Sequence, residues 1–115
     1  MERKDAREAV LSEKALDFLV QLLHSTDEVI IGNTALCLGH CADMEEVSQH
    51  LAGVSGVVEI LLKHATNDEL SNDAKQNAAI CLAKLATADK RHLEKLKEMH
   101  GLEILHSVIQ NTNLS

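Results

Sequence analysis

The chain has 115 residues, 45% of them hydrophobic and 25% charged, with one aromatic residue, no proline and a formal charge of −7. That is enough for one packed domain or a fragment of a longer array, and the acidic balance argues against DNA or RNA as the main partner, because phosphate binding draws on clustered Lys and Arg. A core filled by Leu, Ile, Val and Ala around the single Phe18 suits closely approaching helices better than a β-sandwich. No apolar run approaches the roughly 20 residues that span a bilayer, the first residues carry charge of both signs instead of a signal-peptide core, and the cysteines lack the spacing of a disulfide scaffold. A soluble chain in a reducing, cytoplasmic compartment is therefore expected, with no membrane partner.

In chain order, residues 1–24 read as a partial repeat built on Leu16-Asp17-Phe18-Leu19, with residues 1–12 either completing it or forming a tail. Residues 25–65 read as a repeat. Ser25 to Glu28 fits a capping box and opens a long helix through Asn33–Ala42. With helical residues turning by about 100° each, Ile31, Ala35, Leu38 and Ala42 share a core stripe, while Asn33, Leu36 and His40 fall nearly opposite. Asp43 to Glu46 fits a second capping box before a short helix, Met44 to Leu51, and Gly53 and Gly56 mark the joint to the apolar helix around Val58-Glu59-Ile60-Leu61.

Residues 66–110 read as a further repeat, with 111–115 as a tail. After a polar loop, Asn77 to Ala86 (NAAICLAKLA) repeats Asn33 to Ala42 (NTALCLGHCA) after 44 residues. Ala79, Leu82 and Ala86 take its core stripe, and Asn77, Ile80 and Lys84 lie opposite. A short helix, Arg91 to Met99, then Gly101 and Leu102-Glu103-Ile104-Leu105 complete the series. Lys90, Arg91, Lys95 and Lys97 share that short helix with Glu94 and Glu98, as expected of a solvated face with i,i+4 pairs.

The most site-like cluster is Cys37, His40 and Cys41. Two cysteines at i,i+4 point together, but His40 projects away from both and tetrahedral zinc would need further ligands, so no metal is expected. Cys37 and Cys81 hold equivalent places and read as helix-packing residues. The seven histidines read as solvated residues near helix ends. No catalytic residue, enzyme activity or cofactor is expected, because nothing supplies an orienting group or an oxyanion-binding turn beside a Cys–His pair.

The order of short helix, glycine, apolar helix (GVVEILLKHA), polar loop and long helix with an ALxxxA-like motif resembles the armadillo-repeat family. The resemblance implies an all-α, right-handed α-solenoid of armadillo-type three-helix repeats, about two full repeats with partial ends. It also implies that the long helices line a groove. In the peptide-binding importin type that groove carries Trp and, four residues on, Asn; the matching positions here are Leu36 and His40, then Ile80 and Lys84, so import-cargo binding is not expected. The candidate partner-binding groove is Asn33, Leu36, His40, Asn77, Ile80 and Lys84, suited to a polar or acidic segment or an amphipathic helix. The run from Asn77 to Leu105 is similar to the C-terminal armadillo-type region of a tetratricopeptide repeat protein. That likeness implies a scaffold segment of a cytoplasmic co-chaperone or assembly factor for axonemal dynein arms, with dynein chains or chaperones as partners. The alternative is a self-associating structural module with no chaperone role.

Overall fold

The computed structural model describes residues 13–114, all of whose regular structure is helical. Seven helices follow in order among these residues: α1 (Glu13–Leu22), α2 (Glu28–Cys41), α3 (Glu45–Ala52), α4 (Val57–Ala65), α5 (Asn72–Ala88), α6 (Lys90–Glu98) and α7 (Gly101–Leu114). The expectation for residues 1–12 falls outside the described part.

Capping chemistry opens several helices, although not always where a motif suggests. Asp27, rather than Ser25, caps α2 by accepting the Val29 N–H at 2.9 Å, while Ser25 Oγ accepts the Asp27 N–H and tightens the turn before it. The capping box at Asp43 does not form. Met44 is the N-cap of α3 without a side-chain bond, and the Asp43 carboxylate instead lies 3.4 Å from Lys84 Nζ on α5. Ser71 caps α5 and Asp89 caps α6, each accepting a first-turn N–H.

The predicted stripes are sorted by burial. Ile31, Ala35, Leu38 and Ala42 are buried, as are Ala79, Leu82 and Ala86, and the matched leucines Leu38 and Leu82 are both 0% exposed. All of these but Ile31 join Leu23, Leu51, Leu61, Leu85 and Leu96 in one continuous core, where truncating any leucine to alanine costs about 2–5 kcal/mol. Helix α5 is the hub: it packs most extensively on α2 and then on α4, and also touches α3, α6 and α7.

Small residues set how closely the two long helices approach. A Cβ placed on Gly32 would stand 3.4 Å from Ala74 Cα, and one on Gly39 would stand 3.5 Å from Cys81 Cα. These glycines lie inside α2 rather than at a joint, a role that punctuation-based reading does not assign to them.

Polar ties run alongside this packing, and they share a direction. His64 Nε2 meets the Leu23 carbonyl, Asn77 Nδ2 donates to the Gly32 carbonyl, Arg91 to that of Gln49, and His92 Nε2 meets that of Ser48. The partners are 41, 45, 42 and 44 residues apart respectively, each about one sequence period, with the later element supplying the donor.

Candidate functional site

Five of the six candidate groove residues meet in one place. Leu36 and His40 of α2 face Asn77, Ile80 and Lys84 of α5 across a furrow floored by Ala35, Gly39 and Cys81. Asn33 is exposed on α2 but does not line the furrow. The floor is small because Gly39 and Cys81 bring the backbones together, and the two large apolar residues stand proud of it, Leu36 at 46% and Ile80 at 40% exposure.

The furrow encloses only about 30 Å³, far below the roughly 300–1,000 Å³ of small-molecule sites. Such a surface suits shallow contact with another protein. Asn77 already gives one amide hydrogen to the Gly32 carbonyl at 3.2 Å, so its spare capacity is one donor and its carbonyl oxygen. Lys84 is half-buried beside Asp43 at 3.4 Å, a long, exposed pairing of the kind worth at most about 1 kcal/mol.

The cysteines divide. Burial pushes the Cys81 thiol up to about 12 against the opposing pull of Lys84, which makes it an inert packing residue. Cys37, read from sequence as its packing equivalent, is exposed. The difference follows from order: α2, one period earlier, covers Cys81, whereas no described long helix precedes α2. Burial first, and the neighbouring Cys37 second, raise the Cys41 thiol. Among the described residues no three or more His, Cys, Asp or Glu side chains converge as metal ligands.

Two histidines depart from the surface role expected of them. His64 is 6% and His92 is 2% exposed, and each spends a ring nitrogen on a backbone carbonyl of the preceding period. Burial holds His92 below the ordinary imidazole value, with the Ser48 hydrogen bond opposing the shift. Two basic residues of α6 reach other helices: Arg91, besides pairing with the N-cap Asp89, donates to the Gln49 carbonyl, and Lys95 lies 3.3 Å from Glu59 of α4. Two wider clefts went unanticipated, about 460 Å³ between the Val54–Glu59 segment and α6, and about 560 Å³ between the α1–α2 joint and α4.

Sequence comparison relates the chain to helical proteins named for the tetratricopeptide repeat. The relatives are tetratricopeptide repeat protein 12 of Homo sapiens, 41% identical over 107 residues, and of Mus musculus, 39% identical over 109 residues. These alignments cover 92% and 94% of this chain and 15% of each relative, so the chain spans about 15% of the length of the relatives it matches. No family model matches, and no solved structure matches.

This finding corrects the armadillo-repeat assignment and the armadillo-type fold class drawn from it: the likeness is to tetratricopeptide repeat proteins, whose naming unit is a 34-residue helix–turn–helix. The physical reason lies in the motif. An apolar stripe, a glycine at a helix joint and a small residue at a crossing meet demands common to all stacked-helix arrays, so they do not separate one repeat class from another. The likeness supports a protein–protein interaction scaffold, not an enzyme. Among the described residues no helix is long and apolar enough to cross a membrane.

Proposed function

We propose that this segment is a protein-interaction scaffold whose contact surface is the α2–α5 furrow. The observation that carries the reading is the pair Leu36 and Ile80, two large apolar side chains 46% and 40% exposed on adjacent long helices, with His40 and Lys84 one turn further along each. Apolar anchors beside donors and a cation fit a polar or acidic segment, or an amphipathic helix, of a partner protein. The finer reading is a cytoplasmic co-chaperone or assembly factor for axonemal dynein arms, with dynein chains or chaperones as partners. Its support is the resemblance carried by Asn77 to Leu105 and the similarity to tetratricopeptide repeat protein 12.

Crosslinking mass spectrometry on the tagged protein in ciliated cells tests this. The expected result is crosslinks from dynein chains or chaperones to Lys84, the lysine of the furrow. Abundant crosslinks elsewhere on the protein and none to these helices would contradict it.

A second reading, a self-associating helical module, is favoured by apolar residues exposed on the first and last described helices, Phe18 at 59% and Leu102 at 40% exposure. Sedimentation across a wide concentration range separates the two: a monomer throughout supports partner binding, and a concentration-dependent dimer supports self-association.

A further inference from the structure

The α2–α5 furrow belongs to a chain of formal charge −7, yet the described residues that line it include no Asp or Glu, and Lys84 is the only Lys or Arg among them. Its ammonium is already engaged. Asp43, on the joint between α2 and α3, sets its carboxylate 3.4 Å from Lys84 Nζ, with the Asp43 and Lys84 side chains 69% and 35% exposed. The sequence puts Asp43 at the head of a capping box, but α3 opens on Met44 without a side-chain bond, so the acid lies beside Lys84 of a later helix instead. An exposed pair of this length adds little to stability. What it does is seat one of the protein's own carboxylates where a partner's would go. Leu36 and Ile80 precede His40 and Lys84 by four residues, a rise of about 6 Å. A helix laid along the furrow covers that distance in four residues as well, so an apolar side chain between Leu36 and Ile80 brings the side chain one turn away to Lys84.

We propose that the furrow takes a partner helix bearing an apolar residue and, one turn away, an Asp or Glu, and that Asp43 is a built-in rival of that acid for Lys84. This deepens the reading of the furrow as the contact surface and rests on it. In the free protein Asp43 holds the ammonium; on binding, the partner's carboxylate takes it, and Asp43, already largely exposed, is released to water. Two acids competing for one cation make Asp43 a brake on acidic helices. A helix with a neutral residue at the same place leaves the Asp43–Lys84 pair intact and does not feel the brake.

The test titrates two capped, alanine-rich helical peptides into methyl-labelled protein and follows them by NMR. One carries Leu and, four residues on, Glu; the other has Gln in place of the Glu. The Leu36 and Ile80 methyls are expected to shift with both. Asp43→Asn, with its fold checked by circular dichroism, tightens the Glu peptide about two- to fivefold at low salt and leaves the Gln peptide unchanged. In Lys84→Gln the two peptides bind alike, with or without Asp43→Asn. An equal response of both peptides to Asp43→Asn overturns the proposal and leaves the furrow reading standing. So does tightening that persists in Lys84→Gln, which is general charge repulsion and not competition for one cation. Absence of shifts at Leu36 and Ile80 with either peptide overturns the furrow reading and the proposal together, and an unlabelled second copy of the protein shifting those methyls as the peptides do overturns the partner helix as occupant.

Discussion

His92 Nε2 lies 3.2 Å from the carbonyl oxygen of Ser48, the residue 44 positions earlier, and both residues are buried. The carbonyl can only accept, so the ring carries its proton on Nε2. The bond joins α6 to α3 across one sequence period. It belongs with the ties of His64, Asn77 and Arg91, which fix how successive elements sit on one another.

Stability should fall as pH drops below the ordinary histidine range. Burial lowers the folded-state value of His92, so between that value and about 6.5 the unfolded chain binds a proton that the folded chain resists. The contribution is fully present above about 6.5 and is lost as pH falls through the folded value. Urea melts from pH 7.5 to 5.0 should show this decline, and His92→Ala should flatten it while costing about 0.5–1.5 kcal/mol at neutral pH from the lost hydrogen bond to Ser48.

At the α2–α5 crossing, Gly39→Ala should be tolerated and Gly39→Val should not. The alanine methyl meets Cys81 Cα at 3.5 Å, an ordinary contact, and removing a mid-helix glycine adds about 0.5–1 kcal/mol. Valine's further methyls have to push α5 away, at about 1–3 kcal/mol. Chemical denaturation of the two variants checks the change of sign.

Gly56 and His100 occupy equivalent joints 44 residues apart, and both backbones are left-handed, at φ 88° and 54°. Only one of them is glycine. Gly56→Ala should destabilise by about 1 kcal/mol through strain alone, since nothing lies within 4 Å of the added methyl. His100→Gly should stabilise by a similar amount, and thermal melts of the two variants should move in opposite directions.

The thiols should react in order of exposure. Cys37, exposed, should label first with a maleimide, Cys41 more slowly, and Cys81, buried with its thiol raised to about 12, only when the chain unfolds. Mass spectrometry after timed labelling reads this directly. Rapid labelling of Cys81 in native protein would contradict the α2–α5 packing.

Much of this architecture was legible because burial follows periodicity: a 100° turn per residue places Leu38 and Leu82 inward and Leu36 and Ile80 outward, whatever the surroundings. What escaped the sequence depended on contacts between periods. Gly39 reads as a poor helix former until Cys81 lies against it, and Cys37 and Cys81 look alike until one is covered and the other is not. His64 and His92 looked like surface residues because a buried neutral imidazole announces itself only through its acceptor, here a carbonyl more than forty residues away. Asp43 matched a capping box, but Lys84 offered its carboxylate a charge from another helix. The repeat class was misread because helix packing imposes similar patterns on every array of this kind.

The most direct test of the central claim is capture of dynein chains or chaperones from ciliated cells by wild type and by the double variant His40→Glu, Lys84→Glu, with matching circular dichroism for both. Reversed charge beside Leu36 and Ile80 should cut capture at least fivefold while leaving the helical signal intact. Undiminished capture by the folded double variant would remove the α2–α5 furrow as the binding surface.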